Sequence, residues 1–106
     1  MGQIKWTEKA TANLQAIHDY IASDSRIYAT RFIRSLIEAT RKLENMPECG
    51  RIVPELKSFG FREVIYHNYR IVYRVIGNDQ DLEILAVLHG TREINKPAHN
   101  EWELLA

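Results

Sequence analysis

Apolar positions in the first half of the chain repeat with a helical period. Ala10, Leu14, Ile17 and Ile21 follow Thr7, a side chain suited to cap a helix start, and the pattern stops near Ser23. A second capping serine, Ser25, opens a longer stripe of Ala29, Phe32, Ile33, Leu36, Ile37, Leu43 and Met46, which predicts a helix from Arg26 to Met46. Pro47 and Gly50 end it. Two amphipathic helices on so short a link are expected to pack as an antiparallel hairpin. Ahead of them, Gln3 to Trp6 alternates polar and apolar residues as a short strand does.

Past Gly50 the period drops to two. Phe61–Tyr66 and Tyr69–Ile76 are rich in aromatic and β-branched residues, with His67-Asn68 between them as a two-residue turn. A further turn is expected at Gly77-Asn78-Asp79-Gln80. Leu82–Leu88 is nearly all apolar, as a central strand covered on both faces would be. The fold class is therefore α+β, in the order β-α-α-β-β-β. An N-terminal strand and a two-helix antiparallel hairpin pack on one face of a twisted, mainly antiparallel sheet. One domain is expected over residues 1–94, with 95–106 as a C-terminal tail.

The turn at His67-Asn68 also sets the strand faces, because directly opposed residues share a side of the sheet. Arg62, Val64, Tyr66, Tyr69, Ile71 and Tyr73 form the more apolar face and should meet the helices. Phe61, Glu63, Ile65, Arg70, Val72 and Arg74 form the other. Two readings of that second face stand side by side. It is a solvated surface on which Arg70 and Arg74 pair diagonally with Glu63, or its arginines form a site for phosphate or carboxylate. In both, Arg70 is treated as a surface residue whose loss costs little stability.

Charge and composition narrow the choices. The 106 residues suit one small domain, and 14 Lys+Arg balance 14 Asp+Glu, so no global field draws the chain to nucleic acid or an anionic membrane. Locally, residues 51–76 hold five basic against two acidic side chains, and residues 78–103 hold two against six. A basic groove beside an acidic rim is expected. No apolar run approaches the roughly 20 residues that span a bilayer. The N-terminal segment does not resemble a signal peptide, and the one cysteine, Cys49, has no partner within the chain. A reducing cytoplasm is the expected setting. No Gly-rich phosphate loop, nucleophile elbow or metal-spaced His/Cys set is present, so no cofactor and no metal are expected. His18, His67 and His99 read as structural or solvated. His89 stands out because it directly follows the most apolar strand, beside Gly90 and Arg92.

Taken in order, Gly50-Arg51, Pro54-Glu55-Leu56, Arg62-Glu63, the strand Tyr69-Arg70-Ile71-Val72-Tyr73-Arg74, and His89-Gly90 with Arg92 closely resemble the RelE/ParE superfamily over residues 3–93. These are the toxins of bacterial type II toxin–antitoxin modules. The resemblance implies a cytoplasmic, growth-inhibiting toxin of the plasmid-stabilisation kind, neutralised by a cognate antitoxin whose C-terminal segment wraps it. Operator DNA would be reached only through that antitoxin, and no membrane is involved.

Two mechanisms divide the superfamily. RelE-like members cut mRNA on the ribosome, which needs a proton-transfer pair and cations on the phosphorane. Arg70 matches a phosphate-binding position of those nucleases, Arg92 approximately a second, and Glu55, Arg70 and His89 echo a glutamate–arginine–histidine subgroup. Glu63 is a further acid/base candidate. However, Phe61-Arg62-Glu63 replaces the lysines of classical RelE proteins, the subgroup's histidine aligns with Gly90, and no tyrosine follows Arg92. ParE-like members poison DNA gyrase, and the motifs resemble ParE more closely. The functional surface expected on that basis comprises Arg51, Arg62, Arg70, Arg74, His89 and Arg92, with gyrase as the target. The alternatives are ribosome and mRNA as target, or an inactive co-repressor.

Overall fold

A computed structural model of the chain describes residues 2–77 and 81–90. The expectations for the 78–80 turn, Arg92, His99 and the tail lie outside these residues. Among those described, β1 (Ile4–Trp6), α1 (Glu8–Ala22) and α2 (Arg26–Ala39) are followed by β2 (Arg51–Ile52), β3 (Arg62–Tyr66), β4 (Tyr69–Ile76) and β5 (Asp81–His89). Short 3-10 segments occupy Arg41–Glu44 and Pro54–Phe59. The strands form one sheet in the order β1-β5-β4-β3-β2, antiparallel except for β1 beside β5.

Both helix starts use the side chains the sequence offers. Thr7 Oγ1 accepts from Ala10 N at 3.1 Å, and Ser25 Oγ accepts from Tyr28 N at 3.1 Å. Thr7 does a second job, because its hydroxyl donates to Ile84 O at 3.0 Å and so ties the start of α1 to β5. That junction is a β-bulge. Tyr73 pairs with Ile84 and Val72 with Ala86, so Leu85 is the extra residue on β5. Asn13 of α1 accepts from Val87 N at 3.0 Å just past the bulge. Polar side chains of α1 thus serve backbone groups at and beyond the irregular stretch of β5, and this fixes where the helix sits.

The helix face of the sheet holds the main core: Ala10, Ile17, Leu36, Val64, Ile71, Tyr73, Leu82, Ile84 and Val87. The expected faces of β3 and β4 are therefore observed. The second helix is shorter than the stripe suggested. It stops at Ala39, where the Thr40 hydroxyl bonds back to Ile37 O at 2.7 Å and the chain tightens into the 3-10 turn. The tighter turn carries Leu43 into full burial while Met46 stays exposed, which a continuous helix of that period does not explain.

The second face of the sheet is not left to solvent. Val53, Leu56 and Phe61 from the 53–61 segment pack onto Val72, Leu85 and Ala86 as a separate small core. Burying each such side chain is worth about 1.5–3 kcal/mol, enough to hold a short loop down. Pro54 starts the 3-10 turn, and Gly60, at a φ of 75°, ends it in the left-handed region that other residues rarely adopt. Val53 N then donates to Phe61 O at 2.9 Å and closes the loop on itself.

One tyrosine fixes where this loop begins. The buried Tyr73 hydroxyl donates to Pro47 O at 2.7 Å and accepts from Gly50 N at 3.0 Å. Burial raises its pKa above the ordinary 10.0, so the donated proton is kept. A Cβ at Gly50 would lie 2.6 Å from that hydroxyl and 2.7 Å from Glu63 O, so only glycine lets the chain pass so close to β3 and β4. Tyr73→Phe is expected to cost about 1–3 kcal/mol in urea unfolding, since it strands a buried N–H and a carbonyl. Gly50→Ala should be at least as damaging. If either variant unfolds with the parent's midpoint, the tyrosine is not the anchor.

Candidate functional site: an arginine cleft lined by carboxylates

The sheet register brings three of the charged candidates together. Arg51 on β2 lies opposite Glu63 on β3, and Ile65, two residues on, lies opposite Arg70 on β4. Glu63 is thereby diagonal to Arg70 and flanked by Arg51. One oxygen of Glu63 accepts from Arg70 Nε at 2.6 Å, and the other from Arg51 Nε at 2.6 Å. The Glu63 side chain has no exposed surface. A buried carboxylate is tolerated only when paired and hydrogen-bonded, and here each oxygen has a charged donor.

Glu55 completes the arrangement from above. The Pro54–Phe59 turn sets its carboxylate against the end of Arg70, with Oε2 accepting from Nη1 at 2.9 Å and Oε1 from Nη2 at 2.8 Å. This is the two-point, fork-to-carboxylate geometry that makes arginine pairs strong. Hydrogen bonding from Arg70 holds the Glu55 carboxyl at about 2, well below its ordinary 4.5, against an opposing push from burial. The Arg70 guanidinium is in turn raised further above its ordinary value, first by Glu55.

The reading of Arg70 as a surface residue is overturned. It is 6% exposed, because the 53–61 segment roofs that face and Glu55 and Glu63 consume all three guanidinium nitrogens. The diagonal Arg70–Glu63 pair is observed, but Arg74 does not join it. Arg74 lies directly opposite Glu83 on β5 and pairs with that residue at 2.9 Å, both side chains partly exposed. Arg62 points to the helix side of the sheet and donates to the Gly50 and Glu48 carbonyls at 2.8 and 3.2 Å. Arg62 and Arg74 line a different hollow.

Arg51, Glu55, Arg70 and His89 share one open cleft of about 450 Å³, with Ile65 and Tyr69 as apolar walls. His89 enters it from the end of β5, its ring edge-on to that of Tyr69, the residue it pairs with on β4. Two arginines face one lining carboxylate, Glu55, and the fully buried Glu63 that both arginines share brings the site to charge balance. A clue to the roof was present in the sequence. Val53, Leu56 and Phe61 are more apolar than an exposed loop needs.

Sequence and fold find their match among known proteins. Residues 4–94 match the family described as the ParE toxin of the type II toxin–antitoxin system, parDE. The chain belongs to the ParE toxin family. It is a type II toxin–antitoxin toxin of the wider RelE/ParE superfamily, as further similarities agree. It is 37% identical to Toxin RelE2 of Caulobacter vibrioides over 93 residues, 87% of this chain and 99% of that one. It is 32% identical to the putative toxin Y4kP of Sinorhizobium fredii over 102 residues, 94% and 92% of the two chains. Its fold superposes on the chromosomal ParDE system of P. aeruginosa with a TM-score of 0.68 at 27% identity, covering 84% of this chain and 96% of that one. A chain of the Mycobacterium tuberculosis RelBE2 toxin–antitoxin complex superposes at 0.62 and 19% identity, over 83% and 96%, a likeness of fold.

Two measurements follow for this ParE-family toxin. Arg70→Ala leaves one oxygen of the buried Glu63 without its charged donor and is expected to cost about 3–5 kcal/mol in urea unfolding, while Arg74→Ala, at a part-exposed pair, costs under about 1 kcal/mol. Equal small losses would return Arg70 to the surface. The pH dependence has a definite sign. A carboxyl lowered on folding stabilises above its unfolded pKa and loses that contribution as pH falls through the folded one. The parent should therefore lose stability between about 4.5 and about 2 more steeply than Glu55→Gln. Parallel curves over that window would mean Glu55 is not paired in solution.

Proposed function

We propose that this toxin is ParE-like, inhibiting growth by binding and poisoning DNA gyrase until a cognate antitoxin neutralises it. The observation that carries this reading is the state of Arg70. Cleavage of RNA by its own 2′-hydroxyl needs cationic donors aimed at the phosphorane, and every nitrogen of the central guanidinium already donates to Glu55 or Glu63, whose two negative charges sit against it. The acid/base requirement points the same way. A useful general base titrates near the working pH, whereas Glu55 is held at about 2. The balance of charge across the whole sequence agrees, since a ribosome-bound nuclease gains from counterion release along RNA. A binding protein needs none of these features, only a rigid and correctly shaped surface.

The RelE-like reading keeps one specific support: Glu55, Arg70 and His89 line the same cleft. The two readings separate in a paired assay of purified toxin, gyrase supercoiling without ribosomes against mRNA cleavage on ribosomes. Supercoiling is expected to be inhibited and mRNA left intact. His89→Ala should keep most toxicity, because loss of a true acid or base costs roughly 10²–10⁴ in rate whereas loss of one binding contact costs far less. Poisoned cells should show DNA breaks. Site-specific cuts in ribosome-bound mRNA that vanish in His89→Ala would instead establish the nuclease.

A further inference from the structure

Glu63 grips Arg51 and Arg70 alike, each through Nε. Each guanidinium is thus left with its terminal pair of nitrogens to serve something else. On Arg70 that pair is filled by the Glu55 carboxylate in a two-point contact. On Arg51 the terminal pair has no hydrogen-bond partner among the described residues, and the side chain is 62% exposed although its Nε is pinned. One carboxylate therefore organises two forks, one occupied and one open. An arginine whose stem is already held loses less conformational freedom on binding, which favours it as a receptor.

The surroundings of the open fork narrow its ligand. Arg51 belongs to β2, an edge strand of the sheet, so among the described residues no strand covers its far side. Ile65, an apolar wall of the same cleft, is 53% exposed. Cationic fork and bare apolar surface stand together, complementary to an acidic side chain with an apolar neighbour. We infer that the Arg51 fork is a docking point for a carboxylate on an extended protein segment lying along the β2 edge, with an adjacent apolar side chain on Ile65.

Carboxylate is favoured over phosphate on two grounds. The neighbouring fork shows a carboxylate in the matching two-point geometry, and the anionic Glu55 and Glu63 close by repel a doubly charged group more than a singly charged one. The inference goes beyond the gyrase proposal and does not depend on it, since any acidic protein partner satisfies it.

Its test is an NMR titration of the full chain, read at the arginine Nε–H and backbone amide resonances. The probes are acetyl-Val-Glu-Val-amide, the same peptide with Gln, the same peptide with phosphoserine, and inorganic phosphate. The Glu peptide is expected to shift Arg51 Nε–H and the Ile65 amide. The Gln peptide, or Arg51→Ala titrated with the Glu peptide, should bind about tenfold more weakly or worse, as for loss of a charge-assisted pair. Arg51→Lys, which keeps the charge but not the fork, should also bind more weakly than the parent. The Glu and Gln comparison on the unaltered chain needs no variant to fold. Equal binding of those two peptides, or shifts confined to other surfaces, would overturn the proposal. Tighter binding of phosphoserine peptide or inorganic phosphate would overturn its choice of carboxylate.

Discussion

A single buried carboxylate, Glu63, sets the terms for the far side of this sheet. It has no exposed surface, so it must be compensated within the fold, and among the described residues its charged donors are Arg51 and Arg70. Compensation in turn demands shielding. The 53–61 segment supplies it, with Val53, Leu56 and Phe61 packed on Val72, Leu85 and Ala86 and Glu55 closing over the end of Arg70. The Tyr73 hydroxyl, held by Pro47 and Gly50, anchors the chain just before Arg51. Register, roof and anchor are thus one construction around one charge.

The functional consequence is a cleft whose cations are largely committed. Desolvated ion pairs of this kind contribute little net stability over an apolar replacement, but they define geometry and are costly to break singly. On the proposed gyrase-binding reading, such a cleft serves recognition rather than the stabilisation of a pentacovalent phosphate. Its open component is at the edge, where the Arg51 side chain stays exposed beside Ile65. The other arginines named from the sequence work elsewhere, Arg74 with Glu83 and Arg62 on the carbonyls of the turn before β2.

Much of this fold was legible because periodicity is local. The caps at Thr7 and Ser25, the hairpin at His67-Asn68 and the two-face division of β3 and β4 all follow from neighbours in sequence. Most of what was missed depends on contacts from afar. The end of α2 at Ala39 follows from Thr40 bonding back and Leu43 turning under the core. The bulge at Leu85 is invisible in a run where nearly every residue is apolar. The Glu55–Arg70 fork joins residues from a loop without a period and a strand across the sheet. Arg74 could not be assigned to Glu83 before β5 was aligned beside β4. The superfamily was readable from spaced motifs, since Gly50-Arg51, Pro54-Glu55 and the β4 strand all take part in building the same cleft.

A double-mutant cycle on Glu63 and Arg70, followed by urea unfolding, tests the central claim most directly. With both replaced by methionine, Arg51 and Glu55 keep access to water, whereas each single replacement takes from the remaining buried charge one of its two partners. Each single variant should therefore lose about 3 kcal/mol or more, and the double variant should lose no more than the worse single, a coupling of roughly 1–3 kcal/mol or above. Losses that add to within about 0.5 kcal/mol would contradict the account, because the two residues would then be independent and Glu63 could not be the charge around which the site is built.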